Sequence, residues 1–427
     1  MLLFEKGLTL AVTLSVTVVV ARHLMPESFG RLSFLLALMT IAAPLMALGL
    51  NSLISRELLQ RSVDTDVIIG SAMVLRFAAG LLIAALFSGV ALFFLSVSDA
   101  KHLALLLFCS ISNCTLIIDF WLQAHVANFY ASRLRFGTTV VYSVLRLSAV
   151  TLDADLEVFV YLLASEFVVT GLGYIALYQY LSGRLFFLQS SLNECSVLLK
   201  DSRWLFFSGI AAVLYLKIDQ VMLGVLVDDR AVGMYALAAK FSEVWYFVPA
   251  ALVTSYFPRL IRKHANSDLD YACDIQKLND FLFAAAVMIA LVVTITGKWL
   301  VPFLLGEAYA EVLPILLVHV WAAVLVFMRA LLSKWLIVEN LLRLSLLSQV
   351  AGALANIALN AYLIPLYGPL GAAYATIFSY FIAGYGILFF NRKLWPMAFV
   401  ITRSLLLPLR FIRWGFQLYE TESNGQN

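Results

Sequence analysis

The chain has 427 residues, of which 63% are apolar or aromatic and 13% are charged, with a net charge of +3. Soluble domains have about 45–50% apolar and about 25% charged residues, so this composition excludes a soluble globular protein. The length leaves room for about a dozen bilayer-spanning helices of about 20 residues each. We expect an all-α integral membrane protein, and the small net charge does not indicate a nucleic-acid partner.

Twelve apolar segments follow one another along the chain, and each is long enough to be a transmembrane helix. In chain order they are 2–22, 32–53, 68–97, 103–122, 136–152, 158–181, 204–227, 232–257, 281–305, 312–338, 344–364 and 370–390. The first is expected to be an uncleaved helix, because no small-x-small cleavage site follows it. A shorter apolar run over 399–409 is expected to form an interfacial helix on the cytoplasmic face.

The basic residues are divided unevenly between the two sides of this arrangement. Eighteen of the 29 lysines and arginines are assigned to the side of the termini and the even-numbered connections, five to the opposite side, and six to the membrane interior. Because cytoplasmic loops carry the excess of lysine and arginine, both termini are predicted to be cytoplasmic. The four cysteines are expected to be reduced.

The connections and motifs give no indication of catalysis. Each connection is too short to hold a soluble catalytic domain, and no phosphate-binding loop or Ser/His/Asp grouping is present in the sequence. The histidines and cysteines do not have metal-ligand spacing. We therefore expect no catalytic residues, no metal and no cofactor.

The longest connection, 182–203, separates six segments from six, and the two halves resemble each other. Moving the second half back by 203 positions aligns Gly30 with Gly233, Ala47 with Ala250, Ser52 with Ser255 and Arg56 with Arg259. An even number of spans in each half makes the repeats parallel. We predict two six-helix repeats around a central cavity. The predicted parts are an N-terminal lobe over 1–181, a cytoplasmic connection over 182–203, a C-terminal lobe over 204–391 and a cytoplasmic tail over 392–427.

Ten charged residues of the apolar segments are assigned to the membrane interior, where a charge facing lipid is costly. They are Arg76, Asp119, Arg146, Glu166, Lys217, Asp219, Lys240, Glu243, Arg329 and Lys334. Such residues normally face a bundle interior or a watery cavity. Six are basic and four are acidic, so the sequence predicts a cavity of net positive charge that suits an anionic substrate.

Four of these residues lie at similar depths on two consecutive segments. Lys217 and Asp219 are two positions apart and therefore point in different directions, whereas Lys240 and Glu243 are three apart and share a helix face. Together they form either a substrate or proton site or a structural ion pair that joins two helices.

The remaining intramembrane charges fall into possible pairs and single residues. Arg146 and Glu166 form either a structural pair or a site, and Arg76 and Asp119 are expected to pair in the same way. The sequence shows no obvious acidic residue on a segment next to that of Arg329, so Arg329 is the best candidate to hold a substrate anion through its planar guanidinium. Lys334 is expected to extend to the membrane interface.

Two motif blocks resemble those of polysaccharide flippases. The run Ala21-Arg-His-Leu-Met-Pro-Glu-Ser-Phe-Gly30 is similar to their outer loop AR-x-LGP-x-x-FG, with Met25 where the family usually has glycine. The runs Ile218-Asp-Gln-Val-Met-Leu-Gly224 and Val232-Gly-Met-Tyr-Ala-Leu-Ala238 resemble their DQ-x-x-LG and VG-x-Y-s-x-A blocks. Shorter matches occur at 48–51, 55–58 and 257–258.

This family is the Wzx-type O-antigen or capsule repeat-unit flippases, in the superfamily that also holds multidrug extruders and lipid II flippases. The resemblance implies alternating access between two six-helix lobes in the bacterial inner membrane. It also implies an undecaprenyl-pyrophosphate-linked oligosaccharide as cargo. The polysaccharide polymerase and the chain-length regulator are implied as further partners, besides membrane lipid.

Site residues are hypotheses from charge and depth, because the family's binding residues vary with its cargo. The headgroup candidates are Arg329, Arg146, Lys217, Lys240 and Arg76, and the ion-coupling candidates are Asp219, Glu243, Glu166 and Asp119. The alternative function is a cation-coupled multidrug or small-solute antiporter of the same superfamily, against which the excess of basic residues argues. A pathway polymerase usually needs a larger outer loop than this chain has.

Overall fold

A computed structural model of the chain describes residues 2–60, 65–125, 127–183, 189–265, 270–407 and 409–410. Within these ranges the regular secondary structure is helical, as predicted. The α-helices are α1 (Leu2–Ala47), α2 (Leu50–Gln60), α3 (Thr65–Phe94), α4 (Val97–Ser110), α5 (Ile117–Ala124), α6 (Asn128–Thr151), α7 (Leu156–Ser182), α8 (Leu192–Leu226), α9 (Asp229–Glu243), α10 (Phe247–Ala265), α11 (Tyr271–Leu305), α12 (Val312–His319), α13 (Ala322–Val338), α14 (Leu342–Tyr367), α15 (Pro369–Gly384) and α16 (Trp395–Leu405).

Ten helical stretches of the described chain are long and apolar enough to cross a membrane. The difference from the twelve predicted segments has two sources. The first two segments merge into α1, whose 46 residues would extend about 69 Å at about 1.5 Å per residue, more than twice the hydrocarbon thickness of a bilayer. The fifth segment corresponds to α6, which is absent from the ten because its composition is more polar.

The long first helix is interrupted at Met25, whose backbone has φ 62° and ψ 164°. This conformation is accessible to glycine and strained for residues with a side chain. The resembled family usually has glycine at this position. The structure thereby gives a physical reason for that preference: the chain turns here between two membrane-crossing segments.

The chain divides into two compact units. Unit 1 comprises Met1–Ala236, Pro302–Ala310 and Ile364–Pro369, and unit 2 comprises Leu237–Val301, Glu311–Leu363 and Leu370–Asn427. The core of unit 1 includes Leu50, Ile69, Ile118, Tyr174 and Tyr178, and the core of unit 2 includes Leu282, Phe327, Leu331, Met397 and Ile401.

The tail residues that the structure describes include α16, which overlaps the predicted interfacial helix at 399–409. Met397, Ala398 and Ile401 are buried in unit 2, and the Ser404 hydroxyl donates a hydrogen bond to Asp280 on α11 at 2.6 Å. This helix is therefore packed onto the unit. Its position at a membrane interface stays a prediction.

Gly30 and Gly233, which the sequence aligned as repeat equivalents, are in close contact within unit 1. A Cβ atom on Gly30 would lie 1.7 Å from the carbonyl oxygen of Asp229, and one on Gly233 would lie 2.4 Å from the carbonyl oxygen of Pro26. Pro26 and Asp229 are themselves separated by the same 203 positions as the glycines. Reciprocal contacts of this kind are typical of two equivalent elements related by a twofold axis, so they support the internal duplication.

Candidate functional site

Unit 1 contains an opening of about 830 Å³, which we call the polar cavity. It lies among α1, the 3₁₀ segment Ile111–Leu116, α6 and α7. The lining residues are Thr9, Leu10, Asn113, Leu116, Ser132, Arg135, Phe136, Thr138, Thr139, Glu166, Phe167 and Thr170. Eight of these twelve residues are polar, in a protein composed largely of apolar helices.

One wall of the polar cavity carries an ion pair between Arg135 and Asp119. The Arg135 Nη1 atom lies 2.7 Å from Asp119 Oδ1 and donates a second hydrogen bond to the hydroxyl of Tyr174 at 3.0 Å. The sequence analysis placed Arg135 in a cytoplasmic connection. In the structure α6 begins at Asn128, eight residues before the predicted segment, and includes Arg135, whose cytoplasmic location stays a prediction.

The predicted pairing of Asp119 with Arg76 was wrong, since the partner of Asp119 is Arg135. The predicted pair rested on depth along uninterrupted α-helices. The 3₁₀ segment Ile111–Leu116 instead turns through about 720° over six residues, compared with about 600° for an α-helix. Residues that follow it, including Asp119, are therefore rotated by about 120° relative to an uninterrupted helix.

Arg76 lies on α3 and is 8% exposed. Its Nη1 nitrogen has no hydrogen-bond partner among the described residues, and its guanidinium lies near enough to the Cys114 thiol to interact with it electrostatically. A buried cationic group with an unsatisfied nitrogen is costly, so Arg76 remains a candidate for anion binding.

A second ion pair joins α6 to α7 at the polar cavity. The Arg146 Nη2 atom donates to Glu166 Oε2, and the two side chains are 17% and 23% exposed. Glu166 also lines the cavity. The pair matches the structural alternative raised from the sequence, and any further role of these two residues in substrate binding or ion coupling stays a prediction.

Sequence reasoning missed the neutral polar residues of the cavity because it searched for charges. Ser132, Arg135, Thr139 and Arg146 recur along α6 at helical spacing, which places them on one side of the helix. A search for a polar stripe on an otherwise hydrophobic helix would have found them. The sequence signal was the composition of α6, which is more polar than that of the ten membrane-crossing stretches.

The two blocks of the flippase-like motif meet where α8 and α9 adjoin. Asp219, which is 4% exposed, accepts a hydrogen bond from the Tyr235 hydroxyl and another from the Gln220 backbone nitrogen at 2.8 Å. Gly224 lies against the ring of Phe34, with a virtual Cβ 2.4 Å from a ring carbon. Asp219 therefore has a structural function here, and ion coupling by Asp219 stays a prediction.

The predicted four-charge cluster draws on both units. Lys217 and Asp219 belong to unit 1, whereas Lys240 and Glu243 belong to unit 2. Lys217 and Glu243 are partly buried, and Lys240 is exposed. Whether the four act together stays a prediction.

Arg329, the leading headgroup candidate, lies on α13 in unit 2. Its Nη1 atom donates to the Ala383 carbonyl oxygen at 2.6 Å, and its Nη2 atom donates to Ser348 Oγ at 3.1 Å. The guanidinium is thus positioned by uncharged groups of α14 and α15. Lys334, one turn further along α13, lies over the ring of Phe257, with its Nζ atom 5.0 Å from the ring centre.

Comparison with solved structures identifies similar folds over nearly the whole chain. A lipid II flippase MurJ in an inward closed conformation has a TM-score of 0.71 at 14% identity, covering 95% of this chain and 91% of that chain. An inward-facing multidrug resistance MATE family transporter of the MOP superfamily has a TM-score of 0.71 at 13% identity, covering 94% and 95%. A MOP superfamily transporter from Pyrococcus furiosus has a TM-score of 0.63 at 14% identity, covering 95% and 94%.

These similarities show the fold: an all-α, multi-pass membrane protein built from two six-helix repeats, as predicted. A search of curated proteins finds no significant match. The family model described as "Polysaccharide biosynthesis protein" matches residues 4–264, which is more than half of the chain. The chain therefore belongs to the polysaccharide biosynthesis protein family, with the fold of MOP superfamily transporters.

Proposed function

We propose that this protein is a flippase for undecaprenyl-pyrophosphate-linked oligosaccharide repeat units of O-antigen or a similar surface polysaccharide. It moves them from the inner to the outer leaflet of the bacterial inner membrane by alternating access. The family assignment gives the pathway class, and the similar fold of a lipid II flippase supports a lipid-linked cargo. A transporter of this kind is not an enzyme.

The observation that carries the proposal is a large opening among membrane helices that is lined by eight polar side chains. A pyrophosphate-sugar headgroup cannot cross hydrocarbon alone, since an isolated charge costs on the order of tens of kcal/mol to bury by Born estimates. A cavity that replaces the water around the sugar hydroxyls, together with basic residues elsewhere that hold the pyrophosphate, removes most of this barrier. The polyprenyl tail meanwhile stays in the lipid.

We assign roles to the candidate residues from their charges. The pyrophosphate is held by basic residues, for which the candidates are Arg329, Lys217, Lys240 and Arg76. Arg146 is already neutralised by Glu166, so it orients the cavity wall and has less charge to offer an anion. The ion-coupling candidates are Asp219, Glu243, Glu166 and Asp119. The termini are cytoplasmic, and the polymerase and chain-length regulator take up the cargo after it has been flipped.

The second candidate function is a multidrug or small-solute antiporter. It is favoured by the similar fold of a multidrug resistance MATE family transporter. An exporter of cationic drugs would use carboxylates that are free to meet the drug. At the polar cavity, however, Asp119 is paired with Arg135 and Glu166 with Arg146.

Transport in inverted vesicles tests the proposal. Vesicles containing the protein receive a radiolabelled undecaprenyl-pyrophosphate repeat unit on the outside, and protection of the label from an added glycosidase reports translocation. We expect protection by the wild type, loss of most of it in Arg329→Ala, and normal protection in Lys298→Ala, which removes a basic residue near the end of α11. Wild-type vesicles that fail to protect a verified cognate cargo would refute the flippase proposal.

A further inference from the structure

We propose that the polar cavity of unit 1 binds the sugar part of the cargo, as neutral pyranose rings, and leaves the pyrophosphate to other residues. This inference rests on the proposed flippase function. It assigns a binding subsite and a ligand chemistry to residues that the charge-based reasoning did not select, among them Asn113, Ser132, Thr139 and Thr170.

The first argument is charge balance. Arg135 at the cavity wall is paired with Asp119, and Glu166 is paired with Arg146. Each charge therefore has an opposite charge within hydrogen-bonding reach. An anionic ligand would have to compete with an existing carboxylate for its cation, so the cavity offers little net attraction to pyrophosphate. A neutral ligand meets no such penalty.

The second argument is the hydrogen-bonding capacity of the side chains that line the cavity. Ser132, Thr139 and Thr170 contribute hydroxyl groups, and Asn113 contributes an amide. These groups both donate and accept hydrogen bonds, as sugar hydroxyls do. Their side chains make no hydrogen bonds with other described residues, although Ser132 is 6% exposed. These groups are therefore available at the cavity surface, where a polyhydroxylated ligand can hydrogen-bond to them.

The third argument concerns shape and apolar contacts. Phe136 and Phe167 also line the cavity and are partly buried. A pyranose ring carries its hydroxyls around the edge and C–H groups on its faces, so aromatic rings beside hydroxyl-bearing side chains match both surfaces. The volume of about 830 Å³ lies within the about 300–1,000 Å³ usual for ligand sites.

The position of the cavity agrees with loading from the predicted cytoplasmic side. Ser132 lies in the second turn of α6, near the α5–α6 connection, which belongs to the side that is rich in lysine and arginine. Thr9 lies near the start of α1, on the same predicted side. A sugar chain entering from the cytoplasm reaches these residues first.

The test compares the affinity of the purified protein for two lipids by native mass spectrometry. One is undecaprenyl pyrophosphate, and the other is the same lipid carrying the repeat unit, isolated from the cells that naturally express the chain. The variant Asn113→Leu/Thr139→Val/Thr170→Val removes the polar groups at nearly constant volume. The control Thr151→Val/Thr296→Val makes similar changes at two exposed threonines outside the cavity.

We expect the wild type and the control to bind the glycosylated lipid about tenfold more tightly than undecaprenyl pyrophosphate, since a few hydrogen bonds are worth about this factor. In the cavity variant this preference should disappear, while the Kd for undecaprenyl pyrophosphate stays unchanged. A preserved preference would overturn the subsite, and so would equal weakening for both lipids, which indicates general disruption. If the wild type binds neither lipid, the flippase proposal fails as well.

Discussion

Gly30 and Gly233 contact each other reciprocally through their backbones. The Gly233 nitrogen lies 2.9 Å from the position that a Cβ atom on Gly30 would take, and the Gly30 nitrogen lies 3.1 Å from the corresponding position on Gly233. The two glycines are 203 residues apart, the same shift that aligns the two sequence halves. Two equivalent copies of one motif therefore pack against each other, and glycine is required because the neighbouring atoms belong to backbone that cannot rotate away.

The first prediction is that Gly30→Ala and Gly233→Ala each destabilise the protein strongly. Overpacking typically costs about 1–3 kcal/mol, and a clash with backbone atoms should reach or exceed the upper end. Thermal unfolding of the detergent-purified protein measures the effect. The matched control is Gly89→Ala in α3, where nothing lies within 4 Å of a new Cβ. If Gly30→Ala and Gly233→Ala both unfold at the wild-type temperature, the two glycines are not in close contact.

The second prediction is that Met25→Gly stabilises the protein. A side chain in the backbone conformation of Met25 costs on the order of 1–3 kcal/mol, and the Met25 side chain is 53% exposed, so little packing is lost. We expect a higher unfolding temperature. Met288→Gly is the control, because Met288 is also exposed but lies inside α11, where glycine should cost about 1 kcal/mol. A lower unfolding temperature for Met25→Gly would show that this backbone position is not strained.

Much of the fold could be predicted because the membrane imposes it on the sequence. Apolar length located most of the helices. In α1, two predicted segments form one long helix that is interrupted at a single residue, Met25. The repeat could be found from Gly30 and Gly233 because a backbone contact tolerates no other residue at either position.

The candidate site was less accessible to sequence reasoning. Which helices are neighbours, and which of their faces meet, depends on tertiary packing. The 3₁₀ segment before Asp119 rotated that residue away from its predicted partner. Neutral residues such as Asn113 and Thr139 gave no signal in a search for charge. The pairing of Arg146 with Glu166, on consecutive helices at similar depth, was correctly raised as an alternative.

The third prediction concerns that ion pair. Arg146→Leu or Glu166→Leu alone leaves a partly buried charge without its partner, which costs about 1–3 kcal/mol or more. The double variant removes both charges and should be more stable than the sum of the two single effects implies. A double-mutant cycle measured by thermal unfolding tests this. Additive single effects would show that the two side chains do not interact in the membrane.

The fourth prediction concerns the hydrogen bond between Asp219 and Tyr235. Tyr235→Phe removes the donor and should cost about 1 kcal/mol in stability. In an Asp219→Leu background the same substitution should cost less, because this acceptor is already absent. Unfolding temperatures of the three variants and the wild type provide the measurement. An undiminished effect of Tyr235→Phe in the Asp219→Leu background would mean that the hydroxyl bonds elsewhere.

The central claim is that the cargo is a lipid-linked saccharide, and one assay distinguishes it from the rival function. Proteoliposomes containing the purified protein are given a radiolabelled undecaprenyl-pyrophosphate repeat unit or the cationic dye ethidium, in parallel and with the same ion gradient. The account predicts protein-dependent translocation of the lipid-linked saccharide and none of the dye. Transport of ethidium without any movement of the saccharide would contradict it and identify a multidrug antiporter.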